Sequence, residues 1–323
     1  MLISNLDHQP IYRYNVRMIK TYTHRHITWL DVEAPTIEDV NSLVKAYKLH
    51  PLVGEELLGP SKSSKAAAYK DYVYLVIAFP VRVRQDDHHI IEEKEVDFII
   101  GKDFIITAHY EVVQPIHAFA RAFEANSILD KEKTSEHAGH IFYYMMKRMY
   151  QHMSGNLDAI KSELVIAEDQ IFAGKEKDTV EVLSNLSREL LDFRQTCRSH
   201  LEILESLEHL PSGFFDQTFG PYISDIKEEF IMVRDLISNN RELSTELRET
   251  NDSLLSTKQN ETIKLLTVVT SVTFPLSLFV ELFSMNTLNT PIVSQPYGFV
   301  IIVAVVFVVT LFAFMYFKKK KWL

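Results

Sequence analysis

The residues with the clearest chemical potential lie in one apolar stretch. Asn260, Ile263, Thr267, Thr270, Phe274, Ser277, Glu281 and Ser284 recur at alternating steps of three and four. An α-helix of 3.6 residues per turn sets such positions in one stripe along its side. Six of the eight are polar or charged, whereas Leu265, Leu266, Val268, Val269, Leu276, Leu278, Phe279 and Val280 fall largely outside the stripe. A polar stripe on a membrane helix must face water or another polar surface. One helix cannot enclose water and two barely can, so the stripe predicts a homo-oligomer with these helices around a central pore. Helix packing through small residues also uses Ser and Thr. Glu281 favours the pore, because a buried carboxylate needs a cation or a partner; hydration at the outer membrane interface would also satisfy it. Pro275 predicts a kink that a pore lining tolerates. The implied chemistry is the binding and passage of cations.

Other reactive side chains form weaker patterns. Of 13 histidines, His137 and His140 have helical spacing, while His24 with His26 and His88 with His89 have strand or turn spacing. Without cysteines or a catalytic frame around them, these read as surface histidines. The single cysteine, Cys197, excludes an internal disulfide framework and a thiolate cluster, and reads as a small apolar helix residue. Ser42 and Lys45 match a nucleophile spacing but have no supporting partner. No Gly-rich phosphate loop and no His-Glu-x-x-His motif occur, and the chain has only 9 glycines. No enzyme is expected.

Two apolar segments must position the stripe: Leu265 to Phe283, 19 residues, and Tyr297 to Phe317, 21 residues without a charge. About 20 helical residues cross a hydrocarbon core. Met1 to Pro10 shows no apolar signal region, so no cleaved export signal is expected. Lys258 and Lys264 precede the first span and Lys318 to Lys321 follow the second, whereas Ser284 to Pro296 has no Lys or Arg. Basic residues stay inside, so both termini are expected in the cytoplasm of a plasma (inner) membrane protein, with lipid around the spans. Removing those four tail lysines and Glu281 leaves 30 basic and 42 acidic residues in the first 264, a net charge of −12. That balance argues against a nucleic-acid partner and for counter-cations. No protein partner other than the chain itself is evident.

The first part of the chain reads as α/β. Asp71 to Arg84 is rich in β-branched and aromatic residues, Glu95 to His109 reads as two strands around Gly101-Lys102-Asp103, and Ile27 to Val32 is a further strand. Thr36, with Asp39 three residues on, opens a helix, and Pro51 to Leu58 forms a short one. Long helices follow from about Thr134. Leu183, Leu186, Leu190, Phe193, Cys197, Leu201 and Leu204 give one helical stripe, ended by Pro211-Ser212-Gly213. Ile226, Phe230, Val233, Ile237, Leu243, Leu247 and Leu254 give another. With no Pro or Gly between Pro221 and Pro275, this last helix could run from near Ser224 through the membrane to Phe283, roughly 90 Å. Hinges at Asn239-Asn240 or Thr250-Asn251 are the alternative. The expected divisions are 1–133 (α/β), 134–264 (helical stalk), 265–286 (pore span), 287–296 (external loop), 297–317 (second span) and 318–323 (basic tail).

The two spans, the short loop and the ending Tyr316-Phe317-Lys318-Lys319-Lys320-Lys321-Trp322-Leu323 resemble the CorA magnesium transporter family over nearly the whole chain. Ser284-Met285-Asn286 stands where that family has a Gly-Met-Asn signature. His50-Pro51-Leu52-Val53-Gly54-Glu55-Glu56 resembles the family's His-Pro-Leu-x-x-Glu-Asp segment. The resemblance implies a funnel-shaped homopentamer, each chain giving an α/β cytoplasmic domain, a long stalk and two transmembrane helices. It implies a selectivity filter at Ser284, Met285 and Asn286, five Asn286 side chains ringing the outer mouth. It also implies a regulatory metal site, with Glu55 and Glu56 of one chain facing Asp225 of the next.

Mg²⁺ is then both the transported and the regulatory ion. Hydrated Mg²⁺ loses water reluctantly, so a neutral ring of amide and carbonyl oxygens can hold it and release it. The sequence departs from the family in Ser284 and in the uncharged Thr287-Leu288-Asn289-Thr290 loop. Glu281, one turn earlier, is expected to supply the missing negative charge. Those departures leave open a transporter of altered selectivity for Zn²⁺, Co²⁺ or Ni²⁺, and a non-conducting membrane-anchored scaffold or sensor.

Overall fold

The structure is a computed structural model that describes residues 18–61, 63–86, 88–124, 137–208, 219–284, 297–320 and 322. The chain runs β1 (Met18–His24), β2 (Ile27–Glu33), α1 (Ile37–Tyr47), α2 (Pro51–Glu56), β3 (Lys65–Ala68), β4 (Tyr72–Gln85), β5 (His88–Gly101), β6 (Phe104–His109), α3 (Gln114–Glu124), α4 (Gly139–Phe172), α5 (Glu176–Thr196), α6 (His200–Glu208), α7 (Gly220–Ser284) and α8 (Gly298–Lys319). It divides into two compact parts: residues up to Asp169 with Glu181–Leu247, and Gln170–Val180 with Arg248–Leu323.

In the first part a six-stranded sheet has the order β1-β2-β6-β5-β4-β3. All neighbours are antiparallel except β2 and β6, which run parallel with Asp31 opposite Thr107 and Glu33 opposite His109. Side chains alternate along a strand. Leu30, Val32, Val76, Ile99, Ile106 and Ala108 therefore share one face, where they pack with Val40, Leu43 and Val53 of α1 and α2. The other face carries Trp29, which meets Phe119 and Phe123 of α3 at 5.4 and 5.5 Å between ring centres. On that same side Phe98 meets Phe142 of α4 at 5.3 Å, and Phe79 meets His200 of α6 at 5.3 Å.

Local signals explain most boundaries. The Thr36 hydroxyl accepts from the Asp39 N–H at 3.2 Å, while the Asp39 carboxylate accepts from the Thr36 N–H at 3.0 Å. This reciprocal pair fixes the start of α1. The tight turn from β5 into β6 requires Gly101, because a Cβ there would lie 2.2 Å from the Phe104 ring. Pro80, within β4, falls outside the stretch that β3 pairs, so its missing N–H costs no bond on that side.

The helical readings need three corrections. The stripe through Val182–Leu210 is not one helix: α5 tightens into a 3₁₀ turn at Cys197–Ser199 before α6. Leu201 becomes half-buried as a result, while His200, Ile203, Leu204 and Leu207 go inside. His137 and His140 are buried rather than on the surface, packed against Phe219 and Tyr222 of the α7 segment at 4.8 and 4.9 Å. Asn240 is no hinge. Its amide is buried and donates to the Leu157 carbonyl of α4 at 2.8 Å, so α7 continues unbroken over 65 residues with Pro275 inside it. Cys197 is buried as expected, and burial raises its thiol pKa. The stop at Pro211–Gly213 lies outside the described residues.

One charge links the sheet to this helical layer. The Arg82 guanidinium, on β4, donates two hydrogen bonds of 2.8 Å to Glu163 of α4 and one of 2.6 Å to Glu189 of α5. Arg82 and Glu189 side chains are only 7% and 5% exposed.

Arg82→Ala leaves Glu189 buried without a cation, a loss of about 3–5 kcal/mol when one partner of a buried pair is removed. The thermal unfolding midpoint in detergent should fall by several degrees and recover in part when Glu189→Gln is added; an unchanged midpoint would contradict the role of this pair. His200 gives a second expectation. Its Nε2 lies 2.7 Å from the Ala78 carbonyl, and burial lowers its pKa from 6.5 to about 4. As pH falls, the unfolded chain takes this proton before the folded protein does, so stability present above about 6.5 is lost on the way down to about 4. His200→Gln should flatten the acid side of a stability-versus-pH curve in that window; identical curves would exclude the effect.

Candidate functional site

The membrane-facing part contains the C-terminal portion of α7 and all of α8. Both helices are long and apolar enough to cross a membrane, with mean hydropathy of 1.8 and 3.0 over their best windows. On α7, Val268 is buried and Val272, Leu276, Phe279 and Phe283 are half-buried, at helical steps of four, four, three and four. On α8, Gly298 is buried and Ile302, Val306, Ala313 and Phe317 are half-buried. A largely apolar hollow of about 430 Å³ between the helices is lined by Val280, Phe283, Phe299, Ile302, Val303 and Val306, with Ser284 at its edge.

The polar stripe points the other way. Asn260, Ile263, Thr267, Thr270, Phe274, Ser277, Glu281 and Ser284 are all exposed. At roughly 100° per residue, their mean direction lies about 180° around α7 from the face that packs on α8. The chain's own second span therefore leaves most of the stripe uncovered, its C-terminal members Ser277, Glu281 and Ser284 bordering hollows beside α8. Ser277 and Glu281 also border a hollow that Thr310 of α8 helps to line, so the carboxylate stands at the margin of the stripe. Two hydroxyls are already satisfied within the helix: Thr267 donates to the Ile263 carbonyl at 2.8 Å, and Thr270 to that of Leu266 at 2.6 Å. Ser284 is the last residue of α7. Met285 and Asn286 lie outside the described residues.

Two of the three acidic residues expected to sense a cation, Glu56 and Asp225, have lysine neighbours. Glu55 is exposed. Glu56 receives a hydrogen bond of 2.5 Å from Lys65. Asp225, on α7, accepts from Lys147 at 2.8 Å and from the Tyr143 hydroxyl at 2.7 Å. The Lys147 ammonium, followed by the Tyr143 hydroxyl, holds the Asp225 carboxyl below the usual range, and Lys147 is itself raised. Among the described residues, Glu55, Glu56 and Asp225 do not form a ligand cluster within one chain.

The sequence reading missed another group. Asp31, His109 and His117 bring one ligand atom each within 4.8 Å of one another. No spacing in the sequence marks them, because two strands and a helix supply them. The only signal was a pair of carboxylates two residues apart, Asp31 and Glu33, in an otherwise apolar strand.

A family model described as CorA-like Mg²⁺ transporter protein matches residues 24–319. The cobalt/magnesium transport protein CorA of Thermotoga maritima is 25% identical over 297 residues, covering 92% of this chain and 83% of that protein. A putative metal ion transporter of Bacillus subtilis, YfjQ, is 24% identical over 302 residues, covering 91% and 89%. The complete structure of the CorA magnesium transporter from Methanocaldococcus jannaschii shares the fold, with a TM-score of 0.79 at 17% identity and coverage of 94% and 93%.

The orientation of the stripe can be tested by single cysteines in membranes. A water-soluble thiol reagent should label Ser277→Cys at least tenfold faster than Leu276→Cys, with buried Cys197 silent. Equal rates at the two positions would mean that the stripe does not meet water.

Proposed function

The chain belongs to the CorA-like Mg²⁺ transporter family, and on that premise we propose that it passes divalent cations, Mg²⁺ first among them, through a homopentamer whose α7 helices surround the pore. One observation carries this reading: the polar stripe of α7 turns away from α8 and needs further copies of the chain to cover it. The divisions 1–133, 134–264, 265–286, 287–296, 297–317 and 318–323 then correspond to α/β domain, stalk, pore span, external loop, second span and cytoplasmic tail, with both termini inside a plasma membrane. Ser284, Met285 and Asn286 form the filter, and Thr267, Thr270, Ser277 and Glu281 line the path below it. The membrane potential drives entry, worth about 4.6 kcal/mol for two charges per 100 mV.

In the same proposal, internal Mg²⁺ bridges Glu55 and Glu56 of one chain to Asp225 of the next and holds the pore closed. The ion must displace Lys147 from Asp225 and Lys65 from Glu56, so closing is a competition between an ammonium and a divalent ion for the same carboxylates. Five Glu281 side chains near the mouth would hold a divalent ion more strongly than neutral oxygens, and so slow its passage or change the selectivity.

Flux into proteoliposomes under an inside-negative potential tests the reading, comparing Mg²⁺, Co²⁺, Ni²⁺ and Zn²⁺. Mg²⁺ entry should fall at least tenfold in Asn286→Ala. Glu281→Gln should change the rate or the order of ions. Absence of all flux from folded, oligomeric wild-type protein would replace the channel with a scaffold or sensor.

A further inference from the structure

We propose that Asp31, His109 and His117, with Glu33 beside them, form a binding site for a transition-metal divalent cation of the Zn²⁺ or Co²⁺ type in the soluble part of the chain. The site is separate in residues and in donor chemistry from the oxygen-lined cation path and from Glu55, Glu56 and Asp225.

The parallel pairing of β2 and β6 builds it. Asp31 lies opposite Thr107 and Glu33 opposite His109, and all four side chains leave the same face of the sheet. Helix α3 crosses that face and brings His117 beside them, its ring 6.0 Å from that of His109. The ligand atoms of Asp31, His109 and His117 lie within 4.8 Å of one another. Tetrahedral zinc bonds of about 2.0–2.1 Å place neighbouring ligand atoms roughly 3.3 Å apart. The distance from His109 Nε2 to Asp31 Oδ1 is 3.2 Å, and that from His117 Nε2 to Glu33 Oε2 is 3.6 Å. Closing the set on an ion requires the remaining separations, up to 4.8 Å, to contract.

The hydrogen bonds around these groups point their lone pairs inward. His109 Nδ1 lies 2.7 Å from the Glu111 carbonyl, which only accepts, so Nδ1 carries hydrogen. His109 Nε2 lies within hydrogen-bond distance of Asp31 Oδ1, and an ion entering here would take the place of the proton they share. That oxygen, Asp31 Oδ1, already accepts from the Thr107 hydroxyl at 2.7 Å, and Thr107 accepts from Trp29 Nε1 at 2.9 Å. A backbone carbonyl behind a ligating imidazole and a hydroxyl behind a ligating carboxylate are the outer contacts that orient metal ligands. His117 Nε2 is buried and has no hydrogen-bond partner among the described residues. A cation placed among these atoms satisfies all of them at once.

The donor set selects the ion. Two imidazole nitrogens with carboxylate oxygen suit Zn²⁺, Co²⁺ and Ni²⁺, whereas Mg²⁺ demands octahedral oxygen and keeps its water. Asp31 and His109 are inside, at 4% and 0% exposure, while His117 and Glu33 are each 27% exposed and give the ion a way in.

The test uses the full-length protein in detergent, stripped with a chelator and titrated with Co²⁺ alone, then with Zn²⁺ in competition with a fluorescent chelator. Wild type should take up one more tightly bound ion per chain than His117→Ala, with a tetrahedral Co²⁺ absorption band that the variant lacks. Excess Mg²⁺ should not displace it. His117 is partly exposed, so the variant should keep its fold, checked by circular dichroism; Glu33→Gln should weaken binding at least threefold without removing it. Because the cation path is intact in both proteins, their difference reports this site alone, whatever the flux experiment gives. Equal Zn²⁺ stoichiometry and affinity in wild type and His117→Ala, or complete displacement by Mg²⁺, would overturn the proposal.

Discussion

Arg82 lies near the end of β4, and its guanidinium is the point where two of the long helices are held by charge. The fork geometry matters: two parallel hydrogen bonds fix Glu163 on α4, and a third from Nε fixes Glu189 on α5. A lysine could satisfy the charge but not the angles. Neighbouring contacts repeat the arrangement in neutral form. His200 reaches the Ala78 carbonyl of the same strand, and Asn240 of α7 reaches the Leu157 carbonyl of α4. Each polar group is costly to bury and each has its partner, so the helical layer is tied to one register against the sheet. The helix that carries the polar stripe, α7, starts from this layer.

A second constraint acts where lipid replaces water. A helix exposed to hydrocarbon meets no penalty for Leu, Val or Phe, but does for Thr, Ser and Glu. On α7 the two kinds of residue are sorted to opposite sides, and α8 takes the apolar side. Such sorting in one chain has meaning only if something polar takes the other side. Membership of the CorA-like Mg²⁺ transporter family supports the proposal that this side lines a cation path.

What could be read from the sequence, and what could not, follows from the range of each signal. Strands β2, β4 and β6 announced themselves through runs of β-branched and aromatic residues, and α1 through its Thr36–Asp39 cap. The long helix, expected from near Ser224 to Phe283, was legible because no Pro or Gly falls between Pro221 and Pro275; it runs from Gly220 to Ser284 with Pro275 inside it. Strand β1 was missed because its hairpin turns at Arg25 and His26, with Arg25 at a positive φ of 55° that such turns usually reserve for Gly or Asn. Strand β3, Lys65–Ala68, has little strand propensity of its own and exists because β4 pairs with it. The polar start of β5 reads as loop, yet it pairs with the end of β4. The Asp31–His109–His117 group was invisible for a different reason: its members are far apart in sequence, and only the parallel register of β2 and β6 unites them.

The inward-turned hydroxyls of Thr267 and Thr270 carry a consequence for the sign of whatever moves beside them. Each has committed its hydrogen to a carbonyl of its own helix. The oxygen that remains offers electron density and no proton. At these two positions an anion would meet no donated hydrogen, while a hydrated cation would find acceptors for the hydrogens of its water shell. If the stripe lines a path, these two residues would disfavour anions through the direction of their bonds, a contribution separate from the charge of Glu281. It does not titrate, and because it arises from short-range dipoles, ionic strength has little purchase on it.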